Sequence, residues 1–231
     1  MYRTMYHKAI EEKADVVVCD FYYDDGYQHR LYKGCIHEDN HEFIHDCCCR
    51  KTSWVLWNKL VKKNLLQENI IFPNDNYGED IVLTLQVLMK VNRVAYVAMP
   101  LYYYNYMNPD SITHVISEEE ILKAYFQLKN NTEIVLSVLK KKNKEEQYSS
   151  CIELLKWNVR TRLGHLIRYR KYRKLWKETY PEIGFLSIPY VKLKNKVVCL
   201  CMMMGIYPSI RTKLVIKKIL CINSNKYFPN Q

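Results

Sequence analysis

The run Asp15 to Tyr23 (Asp-Val-Val-Val-Cys-Asp-Phe-Tyr-Tyr) restricts most what this chain can become. A continuous β-branched and aromatic series has no solvent face, so it reads as a strand buried on both sides within a parallel sheet. Such a strand needs covering layers, and its neighbours offer them. Tyr2 to Lys13 has apolar residues at Tyr2, Met5, Tyr6, Ala9 and Ile10, a helical spacing. Asp24-Asp25-Gly26 is a turn, and Tyr27 to Lys33 returns as a second strand. Ile36 to Arg50 is polar and ambiguous in period, whereas Trp54 to Leu66 reads as a helix with Trp54, Trp57, Leu60 and Val61 on one face. Arg93 to Met99 reads as a strand that Pro100 interrupts before the aromatic run Leu101 to Tyr106. Alternating helices and strands of this kind predict an α/β layer architecture.

After Thr113 the character changes. Glu118 to Lys140 and Glu145 to Tyr172 carry helical periodicity, separated by a solvated charge run, and no strand pattern follows residue 115. The expected division therefore lies near residue 115, with an α/β part over residues 1–115 and an all-helical, basic part over residues 116–231. Thirty-five Lys and Arg against 24 Asp and Glu give a net charge of +11. That balance suits nucleic acid, an anionic membrane surface or phosphate-bearing ligands. Nine Cys, three of them consecutive at Cys47 to Cys49, with no secretory signal ahead of them, predict reduced thiols in a cytoplasmic compartment. The longest apolar run, Val197 to Ile206, is about half of the ~20 residues a membrane span requires.

Two stretches carry candidate chemistry without further context. In Asn74 to Leu85, a polar, turn-forming run ends in Glu79 and Asp80, and an apolar helix begins at once. A carboxylate at the positive end of a helix is stabilised as the anion. Spacing alone favours a capping role for this pair over that of a base. His37-Glu38-Asp39-Asn40-His41 and His41-Glu42-Phe43-Ile44-His45 both match the two-His, one-Glu pattern of zinc metalloproteases. No third His follows at the expected distance, and adjacent cysteines lack ligand spacing. The match is better explained by chance in a His-rich stretch. Arg168 to Lys174 interleaves bases with aromatics, a pattern shared by single-strand nucleic-acid grooves, anionic bilayer surfaces and solvated helix ends. The apolar run after it favours the membrane over nucleic acid, with a helix pair packed on the core as the competing reading.

Six segments in order resemble one family, the bacterial family 2 glycosyltransferases of GT-A fold that build capsule and cell-wall polysaccharides. They are Lys8 to Asp20, Trp57-Asn58-Lys59-Leu60, Asn69 to Pro73, Tyr77-Gly78-Glu79-Asp80, Pro100 to Tyr104 and Asn108 to Thr113. The resemblance spans residues 1 to about 115 and implies a partial GT-A-like (Rossmann-like) mixed sheet. It implies an inverting single displacement from a nucleotide sugar to a glycan or lipid-linked acceptor. Asp80 would be the base and Glu79 its orienting or acceptor-binding neighbour. Trp57, Asn58, Lys59, Tyr77, Gly78 and Tyr103 would contact substrate. The family also implies a divalent metal, Mn or Mg. Its Asp-x-Asp motif is absent here, and Tyr103 stands where a metal-binding His is common, which leaves His114 as the candidate ligand. The segment thus corresponds to the acceptor half, with the donor half truncated or separately encoded, at the inner face of the cell membrane. The competing expectation is a non-catalytic, membrane-surface binding remnant. Nucleic-acid binding and zinc proteolysis stand further off.

Overall fold

The computed structural model describes residues 1–34, 39–49, 51–67, 69–108, 117–184, 188 and 191–204. It is a mixed α/β structure, as expected. Helix α1 (Tyr2–Glu11) leads into β1 (Val16–Asp24), the strand every other strand pairs with. Its first six residues are buried, as their composition predicts. A hairpin turn then links it to β2 (His29–Tyr32). There the Asp24 carboxylate accepts from the Gly26 N–H, and Asp25 accepts from Tyr27 and Gln28. These are the short-range side-chain bonds that make Asp a turn residue.

The rest of the sheet departs from the periodicity in two places. The segment read as a helix from Trp54 to Leu66 is instead an irregular loop, the short strand β3 (Lys59–Val61) and, after a helix α2 (Asn40–Cys48) earlier in the chain, the one-turn helix α3 (Asn64–Gln67). Tertiary pairing overrides the helical spacing, because Val16 to Val18 have an open edge that residues 59–61 fill antiparallel. The last strand, β4 (Val94–Asn105), follows α4 (Glu79–Leu88) and runs parallel to β1 over its whole length. Pro100 does not end it. The register shifts there, from Cys19 opposite Val97 to Asp20 opposite Pro100 and then Phe21 opposite Tyr102. A proline without an N–H is tolerated where a bulge already breaks the ladder. Since β4 takes one full edge of β1, β3 and β2 divide the other edge between them. All three pairings follow from a single central strand, so the sheet is mixed rather than parallel.

Alternation along β1 divides its side chains into two sets. Val17 and Cys19 pack with Met5 of α1 and with Ala95 and Val97 of β4, supported by half-buried Ala9, Leu60 and Leu101. Tyr2, Tyr6 and Ile10 lie at the edge of the helical stripe and stand exposed. On the opposite set, the buried Asp20 carboxylate accepts from the Gly34 N–H at 2.7 Å and from the Tyr96 hydroxyl.

Helix α5 (Glu118–Lys141) begins with a capping box, the Ser117 hydroxyl accepting from the Glu120 N–H while the Glu120 carboxylate accepts from the Ser117 N–H. It packs along α4. The chain accordingly divides into compact units at Met1–Leu155 and Lys156–Gln231, some forty residues later than the composition change suggests. A change of secondary-structure type is not a domain boundary when the new helix supplies the cover for the old core. The expected helix Glu145 to Tyr172 is α6 (Ser149–Arg162), a 3₁₀ turn at Leu163–His165 and the start of α7 (Arg170–Glu178). Helix α8 (Leu193–Met203) follows. In the second unit the Arg160 guanidinium lies over the buried Trp176 ring at 4.2 Å, and Lys156 pairs with Glu182 at 2.7 Å. Among the described residues no helix is long and apolar enough to cross a membrane.

Candidate active site

The acidic pair opens α4, but Asp80 does not cap it. Gly78 occupies the cap position in the left-handed region, with φ +88°, and makes no side-chain cap bond, while the Glu79 carboxylate meets backbone N–H groups at the helix start. The Asp80 carboxylate is turned to another segment, where it accepts from the backbone N–H of Leu56 at 3.3 Å. That bond ties the helix start to the loop carrying the Trp-Asn-Lys-Leu segment. A second tie lies one turn on, where the Thr84 hydroxyl donates to the Trp54 carbonyl at 2.6 Å.

Lys59 closes the loop from inside. Its ammonium donates to the carbonyls of Ser53 (2.7 Å) and Val55 (2.6 Å) and to the Asn58 side-chain oxygen (3.0 Å). An ammonium has three protons, and all three are spent here. Only 8 % of Lys59 is exposed, and burial lowers its pKa to about 8. Asn58 is similarly occupied. Its side-chain amide donates to the Cys19 carbonyl at 3.0 Å, and its backbone carbonyl accepts from the Cys19 N–H at 3.0 Å. Asn58 therefore holds the loop on β1, while Lys59 closes the loop and has no donor left for a diphosphate.

Trp57, between them in sequence, points to the sheet instead. Its half-buried indole stacks on Tyr102 (4.4 Å between centroids) and Tyr104 (5.3 Å) and meets Phe21 edge-on at 4.5 Å. Tyr23, Tyr104 and Tyr106 continue this aromatic surface, with centroids 5.0 to 5.7 Å apart. Tyr103 belongs to the other face, against Tyr22 and His29. The alternation of strand side chains thus separates Tyr103 from Trp57, a separation that a run of three tyrosines conceals.

Both carboxylates of the pair have raised pKa values. Burial is the main cause for Asp80, opposed by the Leu56 N–H and by the positive charge of Lys59. Burial is also the main cause for Glu79, opposed chiefly by backbone N–H groups at the helix start and reinforced by the neighbouring Asp80 charge. The helix terminus, which from sequence should favour the anion, is outweighed by desolvation.

Two residues that sequence reading missed hold the approach to the pair. The buried Asn131 of α5 donates to the carbonyls of Asp75 (3.1 Å) and Tyr77 (3.0 Å), and Asn130 donates to the Asp75 carboxylate at 3.0 Å. The available signal was a polar side chain at a core position of an amphipathic helix. Gly78 meets α5 too, since a Cβ there would stand 2.8 Å from Leu128 Cδ1. Its small size serves helix packing at this point.

The metal expectations find little support in these residues. Among the described residues no group of three or more His, Cys, Asp or Glu side chains could hold a metal ion. His114, the segment 109–113 and the first His of the protease-like pattern, His37, lie outside the described residues. His41 and His45 share helix α2, yet the His41 ring contacts Tyr148 and its Nε2 lies 3.0 Å from the Gln147 carbonyl. A divalent cation does not fit the described donor set.

No protein-family model and no curated protein matches the chain. A solved structure does. The chain superposes on S. aureus TarS residues 1–349, a glycosyltransferase in complex with UDP-GlcNAc, with a TM-score of 0.53 and 13% identity over 94% of this chain. The fold is glycosyltransferase-like. The chain spans 62% of that TarS chain.

Proposed function

We propose that this chain is the acceptor-side part of an inverting glycosyltransferase that uses a nucleotide-sugar donor, with Asp80 as the general base. The observation that carries the reading is the placement of Asp80. Its carboxylate is anchored by the Leu56 N–H to the Trp57 loop, and burial raises its proton affinity. A sugar hydroxyl is a very weak acid, so it attacks an anomeric carbon only as a positioned base removes its proton. In the single displacement the acceptor oxygen bonds to the anomeric carbon while the bond to the diphosphate oxygen breaks. The hydroxyl proton passes to the Asp80 carboxylate. A carboxylate with raised proton affinity is better matched to that transfer than a fully solvated one.

Glu79 lies beside it and adds negative charge at the developing proton, while Trp57 and the tyrosines around it supply an apolar wall on the acceptor side. Asn58 and Lys59 act through the loop they hold. The nucleotide-sugar class is supported by the likeness to TarS, whose structure contains UDP-GlcNAc. Groups that bind the diphosphate and its cation are assigned to a donor-side part outside these residues, because the Lys59 ammonium is consumed within its own loop. The non-catalytic alternative makes the opposite prediction for Asp80.

The test is sugar transfer by the chain supplied with a nucleotide-sugar-binding half. Asp80→Asn keeps the shape and the acceptor for the Leu56 N–H but cannot take the proton. Turnover should fall roughly 10² to 10⁴-fold, the range that general bases supply. Near-normal transfer by Asp80→Asn would remove the base assignment and leave Glu79 as the carboxylate to examine.

A further inference from the structure

The second unit carries two surfaces that glycosyl transfer does not use. On α7, Arg170, Arg173, Lys174 and Lys177 line one shallow groove with a single acid, Glu178. At 100° per residue these four cations fall within roughly 100° of arc, and the buried Trp176 lies outside it. Arg173 is anchored through its Nε to the Ile167 carbonyl at 3.1 Å, and Lys174 reaches Glu178 only at 3.8 Å. Helix α8 has the complementary property. Leu193, Leu200 and the following Met204 are 67 %, 40 % and 60 % exposed, with half-buried Val197 among them, while Cys199 is buried. These four apolar residues fall within roughly 60° of arc, so the helix leaves an aliphatic stripe uncovered. Lys196 within it and Lys192 just before it add positive charge, and the helix sequence contains no acid.

We propose that these two helices form a peripheral attachment surface for an anionic phospholipid bilayer, α7 supplying the charge and α8 the apolar contact. Charge complementarity selects an anionic partner, and the aliphatic stripe selects a lipid one. Leucine and methionine side chains enter the boundary between headgroups and acyl chains, whereas a nucleic-acid strand offers them nothing comparable. The aromatic residues agree. Single strands bind by stacking bases on ring faces, but Arg168 lies over Tyr169 at 4.7 Å and Lys171 over Tyr172 at 4.8 Å. Those faces already carry cations. The inference stands apart from the Asp80 reading, since attachment requires no transfer activity.

Flotation of the full chain with phosphatidylcholine vesicles, with and without one-third phosphatidylserine, tests it. The chain should float only with the anionic vesicles, and added salt should release it. A cation near such a surface contributes about 5-fold in partitioning. Arg170→Glu combined with Lys174→Glu and Lys177→Glu should therefore weaken binding roughly 100-fold or more. Leu193→Ser with Leu200→Ser and Met204→Ser should leave weak, fully salt-reversible binding. Because these positions face solvent, the melting temperature serves as a control for folding. The proposal is overturned if the unaltered chain ignores anionic vesicles. It is equally overturned if both variants float like the unaltered chain, or if the charge variant loses only single-stranded nucleic-acid binding.

Discussion

Asp80 is subject to two opposing effects, and their outcome has a measurable sign. The helix terminus favours its anion, whereas burial favours the protonated form, and burial prevails. A carboxyl group whose pKa is raised on folding binds its proton more tightly in the native state. Its stabilising contribution is complete below the unfolded pKa and is lost as pH rises through the raised folded value. At neutral pH the ionised group is then a net cost to the fold. Asp80→Asn removes that cost and keeps an oxygen for the Leu56 N–H. Thermal melts should show the variant more stable than the unaltered chain at neutral pH, with the difference closing as pH falls through the carboxylate range. A variant less stable at neutral pH, with the deficit closing as pH falls, would mean that the Leu56 N–H and the attraction to Lys59 outweigh burial. Lys59 shows why residue type alone misleads at this scale. A lysine in a loop suggests a phosphate ligand, but here three oxygens of its own loop surround the ammonium.

The start of α4 is the element on which the candidate site depends. Gly78 holds a left-handed conformation and admits Leu128 of α5 where a Cβ would intrude. Gly78→Ala meets both obstacles and should cost about 1–3 kcal/mol, measured by urea unfolding. Adding Leu128→Ala relieves the contact but not the backbone strain. The double variant should thus be less destabilised than the sum of the two single changes. An additive result would show that α5 yields freely and that the conformation alone accounts for the loss. The segment Trp54 to Val61 illustrates the opposite case. Its apolar spacing satisfies a helix, yet its backbone groups are claimed by β1 and its ammonium by its own loop. Local preference is worth a few tenths of a kcal/mol per residue, and satisfied backbone pairing along an open strand edge exceeds it.

For the whole molecule, the division at Leu155 has consequences for unfolding. Two compact units need not open together. Native-state hydrogen exchange should resolve two groups of slowly exchanging amides. One would belong to β1, β4 and α4, and the other to the helices beyond Lys156, each with its own opening free energy. A single common opening energy would show that α6, which runs across the division, couples the units into one cooperative body.

Much was decided within short stretches of sequence. The buried strand at Val16, the Asp24-Asp25-Gly26 hairpin, the long helix α5 and the apolar helix after Glu79-Asp80 each follow from local period and turn chemistry, which need only neighbouring residues. The α/β class follows from their alternation. What those rules could not reach is every relation between distant segments. They left open which edge of β1 receives residues 59–61, how Pro100 fits within a continuous strand, and which tyrosine of Tyr102 to Tyr104 meets Trp57. They also left open whether Asp80 turns to its own helix or to Leu56. The same carboxylate can cap, pair or act as a base. Its role depends on burial and on a donor 24 positions away, quantities that exist only once the chain has folded.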